Sequence, residues 1–262
     1  MAILNKNREL IINSFNCRGL RDKRKRNNIF QWLKSNHSGI TFLQETHSME
    51  EDKVTWVKEW GGEIYFCNGT SQSRGVAILI PPNLGFDIKI LCETKDTEGR
   101  LLTIDCVIES LSITFINIYA PTKDNLQLQL TFLVELNKIL ETNASKQIIL
   151  GGDFNTQLNV NIDKKGGKFE SQSLYSQNLE SSMEEYKLVD IWRLRNPKDL
   201  KFTRRERSRA GLVQSRLDYW LISECLTSLV KDCLIKPGNK SDHSLIKICL
   251  EIVNSQRRGP GY

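Results

Sequence analysis

What this chain of 262 residues lacks narrows it first. Its seven cysteines are an odd number and none forms a Cys-x-x-Cys pair, so neither a zinc scaffold nor a disulfide framework is expected. Cys92, Cys106, Cys233 and Cys249 stand within apolar runs, as small core residues would. The opening "MAILNKNREL" has no secretory apolar core, and no stretch reaches the length of a membrane span. Internal repeats and low-complexity tracts are also missing. Histidine is scarce, at three, and one of them directly follows an aspartate in "SDHS". These absences lead to the expectation of a soluble, reduced, intracellular protein, not secreted and with no membrane partner.

What is present is a foldable, unevenly basic chain. With 39% hydrophobic residues it can bury a sizeable core, and we expect one domain over residues 1–254 and the start of a linker or tail at 255–262. The net charge of +6 is concentrated in two places. Residues 18–26, "RGLRDKRKR", carry six basic side chains and one acidic, and residues 204–216 carry five arginines and one glutamate. Such clusters suit a polyanion, although the first reads equally well as a solvated helix face.

Short strand-like runs recur with helical patterns between them. The strand signals fall at 9–16, 40–45, 61–68, 75–82, 86–93, 101–109, 112–121, 216–223 and 241–253, and the apolar spacing predicts helices over 24–35, 124–141 and 171–187. Five successive strands closed by turn residues predict a meander shared between two packed sheets. The fold class expected is α/β, a β-sandwich with helices on its outer faces.

The polar residues cluster at strand ends. Asn16, Glu45 and Tyr119 each end a strand-like run, and "KQIILGGDFNTQL" ends an apolar run in two glycines before Asp153 and Asn155. Asp218 lies in "RLDYW", while Asp242 and His243 open the last strand. Loops held by a rigid sheet are where catalytic groups gather. Alone, "GDFN" is as readily a capped turn.

"NCRGL", "LQETH", "NIYAP", "GGDFNT", "SRLDYWL" and "SDHSLI" occur in the order found in the endonuclease/exonuclease/phosphatase superfamily, and they span residues 16–246. The chain most resembles the endonuclease domain of LINE-type (non-LTR) retrotransposons, since AP endonucleases typically have a lysine where His47 stands. The resemblance implies a four-layered α/β sandwich of the deoxyribonuclease I-like kind, with two mainly antiparallel sheets flanked by helices. It implies a magnesium-dependent endonuclease, with manganese as a substitute, that nicks double-stranded DNA and leaves a 3′-hydroxyl to prime reverse transcription. A reverse transcriptase region in the same polyprotein, a nuclear site of action and a monomeric domain follow as expectations.

Carried over residue by residue, Glu45, Asn16 and Asp242 are the expected metal ligands, because hard divalent cations prefer oxygen donors. Asp153 would orient or deprotonate water, Asn155 would bond a phosphate oxygen, and His243 would act with Asp218. Tyr119 would contact the phosphate or assist the leaving group. The sequence leaves both Asp153 and His243 open as the base, and His47 is expected to support the site residues from behind or to be structural. Thr203, Arg204, Arg205, Arg207, Arg209 and Arg216 are the expected DNA contacts, on a segment predicted to be a hairpin. The competing readings are an abasic-site repair nuclease, a phosphatase of the same superfamily, or an inactive DNA-binding module.

Overall fold

The computed structural model describes residues 8–252 apart from Phe169, Arg209 and Ala210. The tail expected from residue 255, and Arg209 among the expected DNA contacts, lie outside the described residues.

The chain begins with β1 (Arg8–Asn16), crosses through α1 (Lys23–Asn36) to β2 (Ile40–Gln44), and passes α2 (Lys53–Trp60) into the hairpin β3 (Glu63–Cys67) and β4 (Val76–Ile80). β5 (Ile88–Lys95), β6 (Leu101–Ile108) and β7 (Leu111–Tyr119) form a meander, and α3 (Leu126–Thr142) crosses to β8 (Gln147–Asp153). Then come α4 (Val160–Asp163), β9 (Lys164–Lys165), α5 (Leu174–Glu185), β10 (Leu188–Asp190) and α6 (Ile191–Arg195). The hairpin β11 (Arg204–Ser208) and β12 (Gly211–Ser215) leads into β13 (Asp218–Ser223), β14 (Val230–Lys236) and β15 (Leu245–Ile252).

Twelve of these strands make two six-stranded sheets, ordered β14-β15-β1-β2-β4-β3 and β10-β13-β8-β7-β6-β5. Pairing is antiparallel except for β1 with β2 and β7 with β8. Each parallel pair is joined through a helix, as a crossover requires. The predicted meander is therefore split: β3 and β4 join the first sheet, and β5 to β7 the second.

Alternation along the strands assigns the layers. Leu10, Ile12, Phe42 and Ile78 of the first sheet meet Ile104, Phe115, Ile149 and Trp220 of the second in a core between the sheets. On the outer face of the first sheet, Phe15, Leu43 and Leu79 pack against Phe30 and Leu33 of α1 and Trp56 and Trp60 of α2. On the outer face of the second, Ile116, Ile118 and Leu150 pack against Leu136 and Leu140 of α3 and Tyr175 and Leu179 of α5. This is the four-layered α/β sandwich expected.

One polar contact crosses the core. The Gln44 side-chain amide donates to Asn117 Oδ1 (2.8 Å) and Ser14 Oγ (3.0 Å), and Asn117 Nδ2 donates to the Leu43 and Ala77 carbonyls. All three side chains are buried. A buried amide network of this kind is worthwhile only when aligned, so it fixes how the two sheets meet. Two residues further along the same strands, at the same end, lie Asn16 and Tyr119.

Candidate active site

The double glycine at the end of β8 has a steric cause. A Cβ on Gly151 would stand 2.2 Å from the Trp220 ring, and one on Gly152, at φ +144°, would stand 2.0 Å from the Ile118 carbonyl. Only glycine lets β8 run this close to both neighbours. The register then sets Tyr119 of β7 and Asp218 of β13 directly opposite Asp153. Three expected site residues are thus lined up across three adjacent strands.

The first sheet brings the others. Asn16 Nδ2 donates to both Glu45 Oε1 and Asp153 Oδ2, at 2.9 Å each, so it ties the two sheets together at the site. Asp153 Oδ1 accepts the Asn155 backbone N–H (2.9 Å), and Asn155 Nδ2 gives a hydrogen to the Ala120 carbonyl. His243 Nδ1 lies 2.9 Å from Asp218 Oδ2, and its Nε2 lies 3.8 Å from Asp153 Oδ2. Ser241 holds the loop before β15 in place, donating from Oγ to the Asn16 carbonyl and accepting the His243 N–H.

Glu45, His47 and Asn155 all have positive φ (51°, 55° and 49°), a conformation that non-glycine residues keep only when the surroundings impose it.

The electrostatics are unbalanced. Asp153 and Asp218 are 1% and 2% exposed, and Asp218 Oδ1 has no hydrogen-bond partner among the described residues. Burial, then the Asp218 charge, pushes the Asp153 carboxyl up to about 7, against the opposing His243 and Asn16. Burial alone would depress His243, but Asp218 and Asp153 outweigh it and raise the imidazole to about 9. Burial, Glu45 and Asp153 push the Tyr119 phenol upward, so it stays protonated.

Glu45 has weak company for a half-buried carboxylate. Among the described residues its ion-pair partner is His47 alone, at 3.9 Å, and burial holds that imidazole below its ordinary pKa. A carboxylate so lightly compensated, beside the Asn16 amide and Asp153, fits a hard divalent cation. The ligand atoms of Asp153, Asp218 and His243 also lie within 4.8 Å of one another and could themselves hold an ion.

Asp242 stands apart. Its Oδ1 is 3.2 Å from Arg18 and its Oδ2 is 3.2 Å from Arg204, so both oxygens face guanidinium groups.

The expected DNA segment is a hairpin, β11 paired with β12, and β9 joins it as a third strand. Arg205 and Arg207 are exposed on it and Arg204 is half-buried. Two expected contacts are corrected. Arg216 is 1% exposed and is held by Asp163 (2.7 and 3.0 Å) and Asp190 (2.6 Å), so it is part of the interior and not of a DNA-facing surface. Thr203 is fully buried; its Oγ1 accepts the N–H groups of Leu217 (3.0 Å) and Asp218 (3.2 Å). Its place is to hold the start of β13, where Asp218 stands.

Sequence reasoning missed Ser241, Arg18 and this use of Thr203. A signal for Arg18 was available: the "RGLRDKRKR" cluster begins five residues before α1 starts, so its first member cannot belong to a helix face.

The sequence profile of the Endonuclease/Exonuclease/phosphatase family matches residues 13–243. The chain is 32% identical over 251 residues to a Transposon TX1 uncharacterized 149 kDa protein of Xenopus laevis, covering 94% of this chain and 18% of that protein. Among solved structures it is similar to an AP endonuclease from Leishmania major, with a TM-score of 0.80, 19% identity, and 94% and 88% of the two chains covered. It is also similar to an AP endonuclease from Archaeoglobus fulgidus (TM-score 0.70, 21% identity, 93% and 100% covered). A third is a 3′ phosphatase from Neisseria bound to a product DNA hairpin (TM-score 0.71, 17% identity, 93% and 100% covered). At these identities the solved structures speak for the fold.

Proposed function

Because the chain belongs to the Endonuclease/Exonuclease/phosphatase family, we propose that it is a metal-dependent DNA endonuclease that nicks one strand of a duplex by phosphodiester hydrolysis. The observation that carries this reading is the unbroken set of contacts from Glu45 through Asn16 to Asp153, with His243 and Asp218 alongside. It unites oxygen donors, a poised carboxyl and a buried cation in one place.

Each group has a defined task. With its pKa near 7, Asp153 is partly ionised at neutral pH and is the base that takes the proton of the attacking water. The His243 imidazole, raised to about 9, is cationic, is oriented by Asp218, and stabilises charge on the phosphoryl oxygens. Tyr119 and the remaining amide hydrogen of Asn155 donate to the same oxygens. Bound magnesium, or manganese in its place, would be held by Glu45 with Asn16 and would supply charge stabilisation at the phosphoryl and leaving oxygens.

The similarity to the transposon protein supports a place within a longer polypeptide, and we propose that a reverse transcriptase elsewhere in it extends, in the nucleus, the 3′-hydroxyl left at the nick. The chain spans only 18% of that relative, and the rest of the polypeptide would supply the polymerase. The second reading, repair of abasic sites or removal of 3′ phosphates, is favoured by the likeness to the AP endonucleases and the 3′ phosphatase.

One set of labelled duplexes separates the two. Intact, abasic and 3′-phosphate substrates are incubated with the protein and magnesium, and the products are tested for extension by a DNA polymerase. Cleavage of the intact duplex at a rate comparable to the abasic one, giving extendable ends, supports the nicking reading. Action confined to the abasic or 3′-phosphate duplex overturns it.

A further inference from the structure

Arg18 and Arg204 come from opposite ends of the chain and meet across one carboxylate. Arg18 follows β1 and Arg204 opens β11, yet both guanidinium groups lie 3.2 Å from Asp242, one at each oxygen. Asp242 directly precedes His243, so the pair stands at the edge of the catalytic cluster. We propose that Arg18 and Arg204, spaced by Asp242, form a clamp for a backbone phosphate adjoining the scissile one.

Four observations carry this. The two guanidinium groups face one half-buried carboxylate, and the only other acid paired with them among the described residues is Glu206, 3.3 Å from Arg204, whose side chain is 57% exposed and so screened by solvent. Its heads reach solvent: the Arg18 side chain is 57% exposed and that of Arg204 is 35% exposed, while Asp242 is 19% exposed. Arg18 is held in place from behind, because its N–H donates to Asn16 Oδ1, its carbonyl accepts from Lys25, and its φ is 49°. Arg204 is fixed through its own strand, since the Arg205 N–H donates to the Asp242 carbonyl and Arg204 pairs with His243. Two guanidinium forks held at a set separation match the planar, multidentate recognition that phosphate favours. With both its oxygens on arginines, Asp242 is a spacer and not the metal ligand the sequence suggests.

The clamp rests on the proposed nucleic-acid substrate, and binding separates its fate from that of the nuclease reading. Affinity for one labelled duplex is measured in EDTA at several salt concentrations for the wild type, Arg18→Ala, Arg18→Lys and Arg204→Ala. A control is Arg21→Ala, a half-exposed arginine already paired with Glu51 and Asp52. Each clamp alanine variant should lower the slope of log affinity against log salt by about one. Arg18→Lys should keep the slope but lose part of the affinity, and the control should match the wild type. Unchanged slope and affinity in Arg18→Ala would overturn the clamp, whether or not the wild type nicks DNA. A lowered slope in a wild-type background that never nicks would leave the clamp standing and remove the nuclease.

Discussion

Two buried charge clusters are separated by a single residue of this chain, and they are built on opposite terms. Arg216 belongs to a group in which two arginines face two acids: it bonds Asp163 and Asp190, and Arg193 adds a second contact to Asp163 at 2.6 Å. The Arg216 guanidinium also lies 4.4 Å from the centre of the Tyr219 ring, whose hydroxyl donates to the Arg216 carbonyl. Asp218 belongs to a group in which Asp153 and Asp218 share the His243 imidazole, while Glu45, tied to Asp153 through Asn16, has only His47 at 3.9 Å. The first cluster is balanced and closes the fold around β10, α4 and β13. The second leaves negative charge unanswered among the described residues. Arrangements that cost stability and persist are the ones a function requires.

The largest effects should come from breaking the unbalanced cluster. His243→Ala and Asp218→Ala should each lower nicking by about two to four orders of magnitude, since Asp218 orients and charges the one imidazole that stabilises the phosphoryl oxygens. The double variant should be little worse than either single, because groups acting as a unit are not additive. Single-turnover rates on one duplex would show it, and additive losses would place the two residues in separate roles.

Breaking the balanced cluster should instead cost the fold. Asp163→Ala leaves Arg216 buried without its bidentate partner and should destabilise the protein by about 3–5 kcal/mol, read from denaturant midpoints. A midpoint within error of the wild type would mean that the pair adds nothing.

The pH response sharpens the same contrast. In EDTA, Asp153 and His243 both carry folded pKa values above their ordinary ones, about 7 and about 9. A group raised in the folded state stabilises it at low pH and loses that contribution as pH rises through the folded value. Stability should therefore fall from about pH 4 to pH 7 through Asp153 and on to about pH 9 through His243. Asp153→Asn should flatten the lower part of this slope and should not lower the thermal midpoint at pH 8. A slope unchanged by Asp153→Asn would show that the carboxyl is not raised.

How much of this contrast was legible in the sequence depends on the distance over which each signal acts. The site residues were visible because each ends a strand-like run, and strand ends can be read locally. The layers followed from alternation. The roles of Arg216 and Thr203 were misread because both sit in a segment dense with arginine, and only the tertiary fold shows that Arg216 turns inward to Asp163. β14 was missed because, as an edge strand, it buries few of its residues, and α2 because its eight residues give too short a helical period to stand out. The start of β13 at Asp218 instead of residue 216 has a similar cause: Leu217 gives its carbonyl to Phe154 and its N–H to Thr203.

Thr203 links the two regions and should give the smallest effect. Thr203→Val keeps the shape but removes the oxygen that accepts the Leu217 and Asp218 N–H groups, so two buried donors lose this acceptor beside Asp218 and nicking should fall by about tenfold. Thr203→Ser should restore it. The loss should appear in the turnover rate and not in duplex affinity; an effect on affinity alone would return Thr203 to the DNA-contacting set.

The most direct test of the central claim, that the under-compensated cluster is a hydrolytic centre, is the conversion of supercoiled plasmid to open circle by the wild type and by Asp153→Asn, each with magnesium and with EDTA. The account predicts nicking by the wild type with magnesium and none in the other three reactions, while Asp153→Asn stays folded. Nicking that survives in EDTA, or that proceeds at the wild-type rate in Asp153→Asn, would contradict it.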